Sequence, residues 1–111
     1  MIIRQMKFDR EADEWTLQRI QALRVALFTR GNPDLGQDPG QPLLEIPNRF
    51  ARVTSLLDAR RRVRAFIDQH ALGSGNWAGG QVLDGCDQQV AYISYNGRVW
   101  VPALHEALSS N

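Results

Sequence analysis

Six arginines, Arg49, Arg52, Arg60, Arg61, Arg62 and Arg64, share one stretch with a single acid, Asp58, so residues 49 to 64 carry a formal charge of +5. Guanidinium forks pair with phosphate or carboxylate oxygens through two parallel hydrogen bonds. Phosphate contacts of that kind give sequence-tolerant, salt-sensitive nucleic-acid binding. The cluster is therefore a candidate surface for nucleic acid or for an acidic protein. A solvated helix face, neutralised by Asp58, Asp68 and acids nearer the N-terminus, accounts for the same residues without any partner.

A second candidate lies between Gln88 and Val101, two β-favouring runs joined by Asn96-Gly97. Asn-Gly between alternating apolar residues is a strong hairpin signal, and a two-residue turn would fix the register. That register pairs Tyr95 with Arg98, Ser94 with Val99, Ile93 with Trp100 and Tyr92 with Val101. One face then carries Val90, Tyr92, Ser94, Val99 and Val101 and is assigned to the core. The other carries Ala91, Ile93, Tyr95, Arg98 and Trp100. Aromatic side chains beside a cation are the composition of contact hot spots, and also of sheets that stack single-stranded bases. Ile93, Tyr95, Arg98 and Trp100, joined by Trp77 from the preceding glycine-rich loop, form the expected partner-binding set. A C-terminal helix or the Trp77 loop folded over that face would remove it from solvent.

The remaining reactive residues make weaker groupings. Asp84, Cys86 and Asp87 are close in sequence, but zinc sites draw on more Cys and His than this, and His70 and His105 stand alone. Asp34 and Asp38 lack the regular acidic alternation of a calcium loop. Gly73 to Gly80 is rich in glycine, yet it follows a helical pattern and precedes a strand, the reverse of a phosphate loop, and it lacks the Lys-Ser/Thr ending. No metal site, cofactor or catalytic residue is assigned, and the expectation is that the chain is not an enzyme.

The elements that must position these groups are read from periodicity. Asp9 reads as a helix N-cap with Glu11, Asp13 and Glu14 in the first turn. Leu17, Ile20, Leu23, Leu27 and Phe28 then share one stripe, which predicts a helix from Arg10 to Arg30, stopped by Gly31 and Pro33. Residues 31 to 47 hold four prolines and three glycines, an irregular loop with Leu43, Leu44 and Ile46 as its anchor. A second helix is predicted over Asn48 to Leu72 from Leu56, Val63, Phe66 and Ile67. Arginines at its N-terminal end oppose the helix dipole, and Ser55 with Asp58 has the form of a capping box, so a break near Thr54 is foreseen. Strands follow at Gln81 to Leu83 and in the hairpin, and a short helix from Pro102 to about Leu108 ends the chain. Residues 2 to 8 are a candidate edge strand.

The predicted fold is an α+β two-layer arrangement: two long helices on a three-stranded antiparallel meander, with residues 2 to 8 as a fourth strand if they join it. At 111 residues, with 43% hydrophobic and 23% charged residues, residues 1–111 are expected to form one domain. One cysteine excludes an internal disulfide framework and suggests a reducing cytoplasm. No apolar run approaches a membrane span, and the N-terminus lacks the apolar core of a signal peptide. Arginine-rich, alanine-rich composition suits a GC-rich bacterial or mobile-element genome. The functional expectation is a small non-catalytic regulator, inhibitor or adaptor that contacts a protein partner. Nucleic-acid binding through the arginines and the aromatic face is the alternative, and a homodimer through that face a third.

Overall fold

The computed structural model describes residues 7–43 and 46–103, and they build one six-stranded sheet in which every pairing is antiparallel. The strands are β1 (Arg10–Glu11), β2 (Leu23–Leu27), β3 (Arg49–Val53), β4 (Gln81–Leu83), β5 (Gln89–Ile93) and β6 (Val99–Val101), in the spatial order β1-β6-β5-β4-β2-β3. Only two α-helices occur among the described residues, α1 (Glu14–Gln18) and the longer α2 (Leu56–Gln69). The expectation of two long helices on a three-stranded meander is thus overturned: this is mainly sheet with one substantial helix.

The predicted helix over Arg10 to Arg30 fails because Leu23 and Leu27 satisfy two periods at once. They fit the helical stripe begun by Leu17 and Ile20, and equally the two-residue alternation Leu23, Val25, Leu27. Tertiary pairing decides between them, since β2 lies inside the sheet between β3 and β4 and its backbone groups are used on both sides. The helix that does form is a remnant. Asp13 caps it by accepting from the Thr16 backbone N–H at 2.8 Å, Leu17 enters the core, and the chain turns extended at Arg19. Ile20, placed on the buried stripe by the helical reading, is 86% exposed.

The second helix also begins later than predicted. Arg49 to Val53 is a strand paired with β2, and the foreseen break near Thr54 is real. Ser55 accepts from the Asp58 N–H at 3.0 Å, and the Asp58 carboxylate accepts from the Thr54 N–H at 3.0 Å. This exchange, close to a capping box, satisfies two backbone donors and starts α2 at Leu56. From there Leu56, Ala59, Val63, Phe66 and Ile67 form the buried stripe, a set whose burial stabilises the fold by about 1.5–3 kcal/mol for each of the larger side chains. Because β2 is antiparallel to both neighbours, β3 and β4 run parallel, and α2 carries the chain across the sheet over β2.

The C-terminal hairpin exists, but its register is one residue away from the predicted one. The Gly97 N–H donates to the Ser94 carbonyl at 2.9 Å and the Ser94 N–H to the Arg98 carbonyl at 3.0 Å, with Gly97 at φ +84°. Tyr95, Asn96 and Gly97 therefore make a three-residue loop, a turn followed by a left-handed glycine, in place of the two-residue turn. Tyr92 pairs with Trp100 and Ile93 with Val99. A one-residue slip turns β6 over, so Ala91, Ile93, Val99 and Val101 face the helices, buried to 4% exposure or less.

The loop after β2 is irregular, as its prolines and glycines dictate, apart from a single 3-10 turn at Pro33–Leu35. It is tied down by Thr29, whose hydroxyl accepts from the Leu43 N–H at 2.8 Å. Leu43 is buried and Ile46 leans on the core; Leu44 lies outside the described residues, as do residues 2–6 of the candidate first strand. Of the predicted C-terminal helix, Pro102 and Ala103 are described and non-helical, and the remainder lies outside the described residues.

Candidate functional site

Both α-helices pack on one side of the sheet. Leu17 of α1 and the buried stripe of α2 belong to the same core cluster as Leu23, Val25, Leu27, Ala51, Val53, Val82, Ala91, Ile93, Val99 and Val101. The other side of the sheet has no helix on it among the described residues. Strand alternation and register place Trp100 beside Tyr92 and Tyr92 beside Gln81 on that side. Leu83 neighbours Arg24, Arg24 neighbours Arg52, and Ala26 neighbours Phe50 there. Phe28, Leu83, Tyr92 and Trp100 are half-buried, and Phe50 is 45% exposed, whereas Val90, at the β4–β5 irregularity, packs against the core.

At the β2–β3 end of this face the side chains are organised by rings. Phe28 meets Phe50 edge to face with ring centroids 5.3 Å apart, and the Arg24 guanidinium stands 5.3 Å from the Phe50 ring, within cation–π range. Arg24 is also paired with the Asp87 carboxylate. A groove of about 470 Å³ opens at this end, lined among others by Ile20, Ala22, Arg24, Arg52, Thr54 and Asp84. The Gln81 side-chain oxygen, in the middle of the face, is shielded and has no hydrogen-bond partner among the described residues.

The predicted partner-binding set does not assemble. Ile93 is completely buried against the helices, and Trp77 is 6% exposed, with its indole N–H donating to the Ile93 carbonyl at 3.2 Å. Tyr95 sits in the hairpin loop, where its phenol donates to the Leu72 carbonyl at 2.7 Å and its own carbonyl accepts from Arg64 at 2.8 Å. Arg98 is exposed beside that loop. Only Trp100 reaches the open face. Its cross-strand neighbour there is Tyr92, while Leu83, Phe28 and Phe50 lie further along the same face, toward β3. Reading Asn96-Gly97 as the end of a three-residue loop would have put Tyr92 and Trp100 together.

The arginine cluster is divided by the fold. Arg52 lies on the open sheet face and Arg49 at the sheet edge, whereas Arg60, Arg61, Arg62 and Arg64 are on α2, against the opposite side of the sheet. Arg64 is committed within the molecule, to the Tyr95 carbonyl and, at 3.3 Å, to Asp68. Arg61 and Arg62 are solvent-exposed, which is what a charged outer helix face requires.

The other reactive residues do local structural work. Asp84 accepts from the Cys86 and Gln88 N–H groups at 2.8 and 3.1 Å, closing the β4–β5 turn, and Cys86 is an exposed free thiol. His70 ends α2 with its ring 4.7 Å from that of Phe66. Asp38 accepts from the Gly40 N–H. His105 lies outside the described residues. The glycine-rich loop is a junction: buried Asn76 donates to the Arg30 carbonyl and to Gln37, both at 3.0 Å. The hydrogen bond from the Thr16 backbone, followed by that from its side chain, holds the Asp13 carboxyl below the usual carboxylate range. Among the described residues no group of three or more His, Cys, Asp or Glu is placed to hold a metal ion. No helix among them is long and apolar enough to cross a membrane.

Comparison of the chain with protein-family models, with curated proteins and with solved structures gives no match.

Proposed function

We propose that this chain is a non-catalytic binding module that takes a protein partner on the open face of its sheet, in a reducing compartment such as the cytoplasm. The observation that carries the reading is the asymmetry of the sheet: both helices lie on one side, and the other side presents Trp100, Tyr92, Leu83, Phe28 and Phe50. Aromatic residues with an arginine at their border are what protein contacts concentrate at their centres. The exposed free thiol of Cys86 supports the compartment.

A nucleic-acid reading draws less support. A stacking platform needs cations along the path of the phosphates, and the face itself offers Arg52 and an Arg24 already paired with Asp87. The arginines of α2 are on the other side of the molecule.

The test is affinity capture from the source cell with and without nuclease, comparing the native chain with the Tyr92→Ala, Trp100→Ala double variant. The expected result is a nuclease-resistant protein retained by the native chain and lost by the variant, whose thermal midpoint falls only a few degrees. Nuclease-sensitive capture, or a variant that no longer folds cooperatively, overturns the reading.

A further inference from the structure

The sheet ends on one side at β1, two residues long, and on the other at β3, five residues long and paired only with β2. The orientation of β3's free backbone follows from β2. The carbonyls of Ala26 and Phe28 accept from the Gly80 and Ala78 N–H groups at 2.8 and 3.1 Å, so the even-numbered residues of β2 turn toward β4. In an antiparallel ladder direction alternates along the strand. Leu23, Val25 and Leu27 therefore turn toward β3 and engage Val53, Ala51 and Arg49, their register partners. Phe50 and Arg52 are left with N–H and C=O aimed outward, a spacing that an incoming strand can satisfy.

The side chains along this edge narrow the choice of strand. Arg49, Phe50 and Arg52 are exposed, with Arg49 on the helix side and Phe50 and Arg52 on the open face. Among the described residues no acid lies within ion-pair distance of Arg49 or Arg52. Charged edge residues suppress pairing with a like strand. A second copy of β3, antiparallel about Ala51, would set Arg49 opposite Val53 and Arg52 opposite Phe50, so that the seam would carry four arginines and no acid from either strand. An acidic strand reverses that sign, turning the same positions into cross-strand ion pairs.

We infer that the β3 edge accepts an extended acidic segment of a partner protein by strand addition. Backbone bonds form to Phe50 and Arg52, carboxylates three positions apart reach Arg49 and Arg52 on opposite faces, and an apolar side chain rests on Phe50. This goes beyond the open-face reading, because the edge can be occupied while the face stays empty.

Fluorescence polarisation decides it, using a labelled extended peptide with two glutamates three positions apart among valines and threonines. The native chain binds this peptide, and a control of the same charge with a central proline, which cannot donate to the ladder, binds at least about tenfold more weakly. The Arg49→Glu, Arg52→Glu variant folds, since both residues are exposed, and loses at least about tenfold in affinity. The Tyr92→Ala, Trp100→Ala variant retains the peptide, which separates failure at the edge from failure at the face. The inference is overturned by absence of binding to the native chain, by equal binding of the proline peptide, or by full affinity in the glutamate variant. It is equally overturned if a single-stranded oligonucleotide binds more tightly than the peptide and is lost in that variant.

Discussion

On the helix side of the sheet Val25, Val82, Ala91 and Ile93 are completely shielded from water, whereas on the other side Phe28, Leu83, Tyr92 and Trp100 stop at half-burial and Phe50 is 45% exposed. The covered face is aliphatic and β-branched, shapes that interlock with a helix at interior density. The open face is aromatic, with arginine at its border. Rings contribute large area with few rotatable bonds, so they can wait in solvent at modest entropic cost and still offer a rigid surface to whatever arrives. The same strands thus serve two ends, and the two-residue period of the pleat keeps them apart.

The contrast can be broken most severely at Gly80, where β4 squeezes between β2 and β5. A Cβ there would lie 2.0 Å from the Ile93 carbonyl oxygen, at a φ of +99°. Gly80→Ala is expected to cost more than about 4 kcal/mol, the exceptional end of single substitutions, read as loss of cooperative unfolding in denaturant. Next comes a matched pair on adjacent residues of β5. Ile93→Ala should lose about 2–5 kcal/mol by opening a cavity in a closed core, and Tyr92→Ala less, about 1–2 kcal/mol, since its ring is only partly shielded and its loss leaves no closed cavity. Equal losses for the two would erase the distinction between the faces. The smallest effect concerns neither face. Asp13, with its carboxyl held low by the Thr16 hydrogen bonds, contributes stability that is present above the ordinary carboxylate pKa and lost as pH falls through the lower folded value. Unfolding of native and Asp13→Ala chains should therefore converge in strong acid and separate slightly toward neutrality.

What could be read from residues alone was whatever a local interaction decides. Ser55 and Asp58 announce a helix start because their exchange with the backbone is complete within four residues, and α2 begins there. Gly31, Pro33 and their neighbours exclude regular structure by their own dihedral limits. Asn96-Gly97 announces a hairpin for the same reason, but the pair fits a two-residue turn or the end of a three-residue loop. That difference of one residue exchanged the roles of Tyr92 and Tyr95. The same slip decides which side chains share a face: Trp100 stands beside Tyr92, while Ile93 turns into the core. The long first helix was the larger error, since nothing within Leu23 to Leu27 chooses between periods. Its neighbours β3 and β4 make the choice from positions far along the chain.

The pairing of β1 with β6 joins opposite ends of the described chain: the Arg10 guanidinium reaches the Pro102 carbonyl, 92 positions away, and Arg10 sits opposite Val101. A closure over that separation carries nearly the full loop entropy of the chain and is repaid by two residues of ladder. The meander β4 to β6 can form from local contacts, so β1 should be the last strand to dock in folding and the first to lift in hydrogen exchange. With both ends of the described segment meeting on one edge, the order of elements can be cut and rejoined elsewhere, in the loop between β2 and β3, without moving any strand in the sheet.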